Sequence, residues 1–356
     1  MRICSMLMTF LILTISTKAS STFDDYFLDQ TMRIDYFHIG EANSEEIVLD
    51  HIYIYGSWAG SYKNIIDQLN YGAYYYKVYD SESGELVYSK GFDCYFKEYQ
   101  IGSEAINGKV KAFHESAIIP APRKKIIFAL DKRNKEGELI EIFRSEIDPF
   151  DITVLINEGK DPSVEVFNSL SSGDSHIKAD IAIIAEGYTK NDREKFQSDL
   201  KRFSKTFFTS KPLSSYKDRF NIYGVFKPSA ESGADEPRAG VYKNTSVGST
   251  FNSMGSERYL LTEDNKTLRD IASHVPYDAL YIMVNHSRYG GGGIYNFYCT
   301  FTSDNIFSEY LLVHEFGHSF FGLADEYYTS STAYNDFYSS EYEPSEPNIT
   351  AMKDPN

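Results

Sequence analysis

The sequence predicts an α+β protein in which an N-terminal β-sandwich precedes an α/β domain with a mixed or largely parallel sheet. Three observations support this prediction. Short runs that alternate apolar and polar residues recur over residues 22–150, with turn signals between them. From residue 181 onward, apolar runs of strand length alternate with segments of helical spacing. Near the C-terminus, an apolar helical segment carries two histidines four residues apart.

The first half of the chain contains three segments that each predict one or two strands. They are, in order, "EEIVLDHIYIYG", "AYYYKVYDSESGELVYSKGF" and "KKIIFALDKRNKEGELIEIFRSEI". The 29 tyrosines of the chain also favour strands. These features predict a small β-sandwich over residues 21–155. Its histidines, His38, His51 and His114, are isolated in the sequence, and we expect ordinary surface or half-buried residues rather than metal ligands.

The second half changes its hydrophobic period. Residues 156–180 are polar and rich in Ser, Gly and Asp, which predicts a linker. The next segments predict a strand, a helix, a strand, one or two helices and a buried strand: "IAIIAEGYT", "KNDREKFQSDLKRFSKTFFTS", "FNIYGVFKPS", "SERYLLTEDNKTLRDIASHV" and "ALYIMVNH". We therefore expect a second domain over residues 175–356. Its last helix is predicted within "SDNIFSEYLLVHEFGHSFFGL", with Ser303 or Asp304 as the N-cap.

The charge and the N-terminus limit the possible functions. With 356 residues and a net charge of -16, the chain has room for two domains and lacks the basic surface that nucleic acid binding requires. Residues 1–20 resemble a secretory signal peptide, with one arginine, a short apolar run and small residues at the end. That run is too short to span a bilayer, and no other segment could do so. We expect a secreted, periplasmic or cell-surface protein.

Two cysteines would remain after removal of the signal peptide. Cys94 and Cys299 could form one disulfide in an oxidising compartment. The alternative is a pair of separate buried thiols, which we favour because spacing along the chain does not supply disulfide geometry.

The stretch "VHEFGHSFFGLADEYY" carries the chemistry that the sequence predicts most specifically. His314 and His318 are four residues apart and so project from one face of a helix, where two imidazoles can share one Zn²⁺. Glu315 follows the first histidine and can act as the general base for a metal-activated water. The alternative is a helix with two chance histidines, but buried histidines and a glutamate on an apolar helix need a stabilising partner.

The third metal ligand is expected just beyond the helix. Gly322 can end the helix and turn the chain, which would bring the Asp325 carboxylate back to the metal. Glu326 is the alternative ligand. Whichever acid does not bind the metal would hold a ligand histidine or pair with a nearby base.

The block "HEFGHSFFGLADEYY" resembles the signature of the M64 family of metallopeptidases, the IgA peptidase family. "IAIIAEGYT", "KPSAESGADEPRAG" and "EPNIT" resemble further blocks of that family in the same order, and the N-terminal half resembles its small β domain. The resemblance implies a zincin-like catalytic domain with Zn²⁺ as cofactor. It also implies His314, His318 and Asp325 as zinc ligands and Glu315 as the catalytic residue. Cleavage of IgA does not transfer with the fold.

Family members usually continue past the block that ends in "PNIT", whereas this chain stops at Asn356. We therefore expect the catalytic domain to lack a C-terminal stretch that could supply a Met-turn or part of the substrate-binding wall. Met352 is available, but no local pattern marks it as a Met-turn.

Four other features each allow two interpretations. Residues 290–293 are all glycine, which predicts either a flexible rim loop or an exposed strand edge that pairs with substrate. Glu231 and Arg238 lie either on a solvated loop or in the cleft. Tyr327 or Tyr328 could donate a hydrogen bond to an oxyanion, although packing against the helix is the simpler interpretation for each.

The sequence therefore predicts an exported zinc endopeptidase whose substrate is a protein or peptide. One alternative is an extracellular binding or adhesion protein with a degenerate peptidase domain. Another is a zinc hydrolase that acts on a non-peptide amide or on a glycan acyl group. Neither the natural substrate nor the oligomeric state follows from the sequence.

Overall fold

The computed structural model describes residues 22–156, 160–209, 211–326 and 342–350. The predicted signal peptide lies outside these residues. Within residues 22–156, the chain forms eight strands and three short helices: α1 (Phe23–Tyr26), β1 (Phe27–Glu41), β2 (Ser44–Tyr55), β3 (Tyr74–Asp80), β4 (Leu86–Phe92), α2 (Tyr95–Gln100), α3 (Ser103–Ile106), β5 (Lys111–Pro122), β6 (Ile126–Arg133), β7 (Leu139–Ile147) and β8 (Leu155–Ile156).

These strands form two four-stranded sheets, with strand orders β5-β1-β2-β8 and β4-β3-β6-β7. Neighbouring strands are antiparallel, except that the two-residue β8 runs parallel to β2. Side chains of both sheets, including Tyr36 of β1 and Tyr76 of β3, are buried in one common core. The Tyr76 hydroxyl donates a hydrogen bond of 3.2 Å to the carbonyl of Ile118 in β5, which links the two sheets. The predicted pair of β-sheets is thus present.

The described residues of the second half form eight strands, three helices and four 3₁₀ segments. Its strands and helices are β9 (Glu165–Leu170), β10 (Ala179–Glu186), α4 (Arg193–Thr206), β11 (Phe220–Phe226), β12 (Thr250–Phe251), β13 (Leu260–Leu261), α5 (Asn265–Ala272), β14 (Ala279–Val284), β15 (Gly291–Ile294), β16 (Tyr298–Thr302) and α6 (Ser308–Phe321). The 3₁₀ segments are Lys190–Asp192, Leu213–Arg219, Pro237–Ala239 and Ser253–Gly255.

Six of these strands form one mixed sheet in the order β15-β16-β14-β10-β11-β9. The four central strands are parallel, and the two edge strands β15 and β9 are antiparallel to their neighbours. The central strands are almost wholly buried, which explains why "IAIIAE" and "ALYIMV" are continuous apolar runs. The α+β class predicted from the sequence is confirmed, with a mixed sheet in the second half.

Three local predictions differ from the structure. Residues 165–170 lie within the predicted linker but form β9, whose polar residues suit an exposed sheet edge. The segment predicted as one or two helices begins with the short strand β13, and only α5 is helical. Helix α6 begins at Ser308 rather than after Ser303 or Asp304, because Asn305 accepts a hydrogen bond from the Phe307 N–H and holds a turn there.

Polar contacts join the two halves of the chain next to the helix that carries the paired histidines. The backbone N–H of Asn296 donates 2.7 Å to the Ser319 carbonyl of α6, and its side chain donates 2.7 Å to the Gly91 carbonyl of β4. A second contact between the two halves joins the buried Arg33 guanidinium to Asp270 of α5, at 2.8 Å. Asn296 therefore connects α6 with strand β4 of the β domain.

Asp278, immediately before β14, is expected to make a pH-dependent contribution to the stability. Burial raises its pKa to about 7, against the opposing effects of the Asp180 N–H and the Lys90 charge. A carboxyl whose pKa is higher in the folded state stabilises the fold fully below about pH 4 and loses this contribution as the pH rises to about 7. The loss is at most about 4 kcal/mol for a shift of about three units.

We therefore expect Asp278→Asn to raise the free energy of unfolding more at pH 8 than at pH 5, because asparagine keeps the acceptor for Asp180 without the charge. Urea denaturation at the two pH values measures the difference. The exposed Asp218, changed to Asn, serves as the control and should show no such difference. Equal effects of Asp278→Asn at both pH values would contradict the expectation.

Cys94 and Cys299 are both buried and unpaired, which confirms the prediction of two separate thiols. Among the described residues, none of the helices is long and apolar enough to span a bilayer.

Candidate metal centre

Helix α6 ends in a turn that brings the chain back towards its own histidines. Gly322 adopts a left-handed conformation (φ 66°, ψ 29°), as predicted for the helix terminus. The N–H groups of Gly322 and Leu323 donate to the carbonyls of His318 and Gly317, at 3.1 and 3.0 Å. These two hydrogen bonds cap the C-terminus of the helix, and the following residues run back along its last turn.

This turn places the carboxylate of Asp325 against both histidines. The Asp325 Oδ1 atom lies 3.4 Å from His314 Nε2 and 3.3 Å from His318 Nε2, and the two Nε2 atoms are 3.3 Å apart. Three ligands of a tetrahedral zinc ion with bonds of about 2.0–2.1 Å are separated by about 3.3–3.4 Å. The three predicted ligand atoms therefore fit one Zn²⁺.

The Nδ1 atom of His318 is already engaged in a hydrogen bond. His318 Nδ1 lies 2.5 Å from the carbonyl of Leu323, an arrangement in which the ring donates from Nδ1 and leaves Nε2 for a metal. Burial lowers the pKa of His318, but Asp325, Glu315 and the Leu323 carbonyl outweigh it and raise the pKa to about 9. Because histidine binds zinc as the neutral imidazole, zinc binding here would release a proton.

Glu326 faces a different partner. Its Oε1 atom accepts a hydrogen bond of 2.9 Å from the side chain of Asn348. The Asn348 amide also accepts from the Ala324 N–H and donates to the Ala324 carbonyl, both at 2.9 Å. The structure thus brings Asp325, and not Glu326, to the histidines, and Asn348 holds the segment between Gly322 and Glu326.

No local pattern marks Asn348 for this role, although it lies in the block "EPNIT". We expect Asn348→Ala to lower zinc affinity about 10-fold, the size of effect seen for groups that hold metal ligands. Competition with a chelator of known affinity measures the change. Ser345→Ala is the control, because its hydroxyl contacts only Glu346 among the described residues. Parental zinc affinity in Asn348→Ala would show that Asn348 does not position Asp325.

Glu315 lies on α6 beside the three ligand atoms and is only 7% exposed. Burial raises the pKa of Glu315 to about 7, with smaller opposing contributions from His318 and Arg258. Its carboxylate makes no hydrogen bond to the described part of the chain. A buried carboxylate with a raised pKa and free lone pairs is suited to proton transfer near neutral pH.

The glycine-rich stretch lies directly over Glu315. Residues 291–293 belong to the edge strand β15, which agrees with the alternative of a strand edge and not with that of a flexible rim loop. A methyl group on Gly291 would lie 2.7 Å from Glu315 Oε1, and one on Gly293 would lie 2.5 Å from the Glu315 carbonyl. Glycine is required here because α6 approaches the strand too closely for a side chain.

Two further residues near the centre were not found from the sequence. Tyr289 is half-buried, and burial raises its pKa, with Glu315, Tyr310 and Asp325 adding to the shift. The charge of Arg258 acts on the pKa of Glu315, His314 and Tyr289, in each case less than burial does. No local pattern marks either residue.

The other residues that the sequence suggested for the site lie either in exposed surface loops or outside the described residues. Glu231 accepts a hydrogen bond from the Asn244 N–H, and Arg238 binds Glu257, so these two exposed residues hold surface loops. Tyr327 and Tyr328, proposed as oxyanion donors, lie outside the described residues, and so does Met352.

The histidines of the β domain are less isolated than the sequence suggested. His38 is buried between two carboxylates, with Nδ1 3.2 Å from Glu115 and Nε2 2.9 Å from Glu45. Burial lowers its pKa, but the two carboxylates outweigh this effect and raise it. The expectation of a surface or half-buried His38 is therefore wrong, because contacts between β1, β2 and β5 bring distant acids to it. His114 is half-buried near Asp35 and Asp50.

Comparison with protein families agrees with this geometry. Residues 167–356 match the family described as IgA Peptidase M64, and residues 22–144 match the family described as Peptidase M64 N-terminus. A search of curated proteins finds no match. The first match spans more than half of the chain, and the second covers most of the β domain. The chain therefore belongs to the M64 family of peptidases.

Proposed function

We propose that this protein is an exported zinc endopeptidase that hydrolyses peptide bonds of extracellular proteins. The observation that carries the proposal is the set of three ligand atoms, 3.3–3.4 Å apart, beside a buried glutamate. His314, His318 and Asp325 would hold the ion, and the M64 family is one of metallopeptidases. Export rests on the signal-like residues 1–20.

The residues of the chain then have distinct tasks. When bound, zinc supplies a Lewis acid that activates water and polarises the scissile carbonyl. Glu315 accepts the proton of the attacking water and passes it to the leaving amine. Its burial under β15 keeps bulk water away from this proton transfer. The carbonyl of Leu323 and the side chain of Asn348 keep His318 and Asp325 in place.

Metal content measured together with proteolysis tests this proposal. Purified mature protein should hold about one zinc per chain and should cleave proteins in a broad mixture, and a chelator should abolish cleavage. His318→Ala should lose the zinc. Full zinc occupancy in that variant would exclude His318 as a ligand. A zinc-loaded parent protein that leaves every protein and peptide intact would contradict the peptidase function and favour a binding protein or a hydrolase of other acyl groups.

A further inference from the structure

The surface beside strand β15 carries three arginines, and two of them are neutralised. Arg238 and Arg288 share Glu257, at 2.5 and 2.8 Å, and Arg288 also lies 2.6 Å from Glu236. In the described part of the chain, the guanidinium of the third arginine, Arg258, makes no hydrogen bond or ion pair. It is half-buried, so this cation is partly withdrawn from water, and no carboxylate of the described residues pairs with it.

The backbone of Arg258 lies next to the candidate metal centre. Its carbonyl accepts a hydrogen bond of 3.3 Å from the N–H of Gly291, and Tyr259 forms a bridge with the same glycine. Gly291 in turn lies against the Glu315 carboxylate, since a methyl group there would be 2.7 Å from Oε1. One glycine residue therefore separates the backbone of Arg258 from the buried glutamate.

The charge of Arg258 also acts on the groups of the centre. Burial is the main cause of the pKa shifts of Glu315 and His314, and the charge of Arg258 lowers the pKa of both groups. The chain as a whole carries a net charge of -16 and would repel an anionic peptide. Among the described residues, Arg258 is thus a cation without an ionic partner in a chain of negative net charge, and its backbone lies one glycine away from Glu315.

We propose that Arg258 selects substrates that carry a carboxylate close to the scissile bond. The inference rests on the proposed peptidase function and adds a substrate class to it. A guanidinium binds a carboxylate through two parallel hydrogen bonds, and the partial burial of Arg258 reduces the competition from water. The carboxylate is that of an aspartate or glutamate side chain, or that of the substrate C-terminus.

Blocked peptides that differ only in one residue test the proposal. An aspartate or asparagine is placed in turn at each of the four positions on either side of one cleavable bond, and kcat/KM is measured for the zinc-loaded protein. At one position the acid should be preferred about 10- to 100-fold, the range for a hydrogen bond to a charged group. A second series, with free and amidated C-termini, distinguishes a terminal carboxylate from a side chain.

Variants then assign the preference to Arg258. Arg258→Gln should abolish it and Arg258→Glu should reverse it in favour of lysine, while Arg258→Lys should retain part of it. Arg238→Gln, which removes an arginine already paired with Glu257, is the matched control and should leave the preference unchanged. Zinc content should stay near the parental value in all four variants, and Arg238→Gln should also keep parental cleavage of the neutral peptide.

The outcomes separate the two proposals. If the parent cleaves neutral peptides but prefers a carboxylate at no position, or if Arg258→Gln keeps the preference, then the inference about Arg258 is wrong and the peptidase function stands. If the zinc-loaded parent cleaves none of the peptides, the proposed function fails and the substrate class fails with it.

Discussion

Glu315→Gln is expected to retain its zinc and to lose about 100- to 10,000-fold in kcat, the range attributed to a positioned general base. The amide fills the same space under Gly291 but cannot accept a proton from water. Because Glu315 is not one of the three proposed ligands, metal content should not change. Zinc analysis and peptide hydrolysis on the same preparation measure both quantities.

Glu309→Gln is the matched control for this prediction, because Glu309 lies on the same helix and is exposed. It should keep parental activity. Activity of Glu315→Gln within a few-fold of the parent would show that another group takes the proton. Loss of zinc from Glu315→Gln would instead indicate that the carboxylate helps to hold the ion.

Asp325→Ala is expected to weaken zinc binding by well over 10-fold, since effects of about 10- to 100-fold are typical even of groups that only support a ligand. Its Oδ1 atom completes the triangle with His314 Nε2 and His318 Nε2. Glu326→Ala should change the affinity only a few-fold, because Asn348 still holds Ala324 from both sides. Chelator competition on both variants compares the two adjacent acids.

The pair of alanine variants also tests the turn at Gly322. If Glu326→Ala strips the metal while Asp325→Ala keeps it, the carboxylate found near the histidines is not the third ligand. In that case the segment 323–326 must rearrange when the ion binds.

Short-range patterns explain why much of the candidate site was predictable. His314 and His318 share a helix face because the helical period brings residues four apart together. Gly322 was predicted to end the helix, and Asp325 follows three residues later in the turn. All these relations lie within a dozen residues, where backbone geometry alone determines which side chains approach one another.

The glycine run shows where local patterns leave two alternatives open. Four glycines in sequence suit both a flexible rim loop and a strand edge, and residues 291–293 form an edge strand. Their composition follows from the approach of α6, which leaves no space for a Cβ above Glu315. The polar stretch around residues 165–170 is similar, because an exposed edge strand needs few apolar residues and so resembles a loop in sequence.

By itself, the sequence determined the α+β class, the order of most strands and helices, and the helix that presents His314 and His318. These features depend on hydrophobic period and on local turns. Only the tertiary structure placed Asn348 behind Asp325, Arg258 beside Gly291 and the acids around His38. The contacts of Asn348, of Arg258 and of His38 with Glu115 join segments more than 20 residues apart, whereas Glu45 reaches His38 through the pairing of β1 with β2. The packing of separate strands and loops decides the long-range contacts without leaving a periodic signal in the chain.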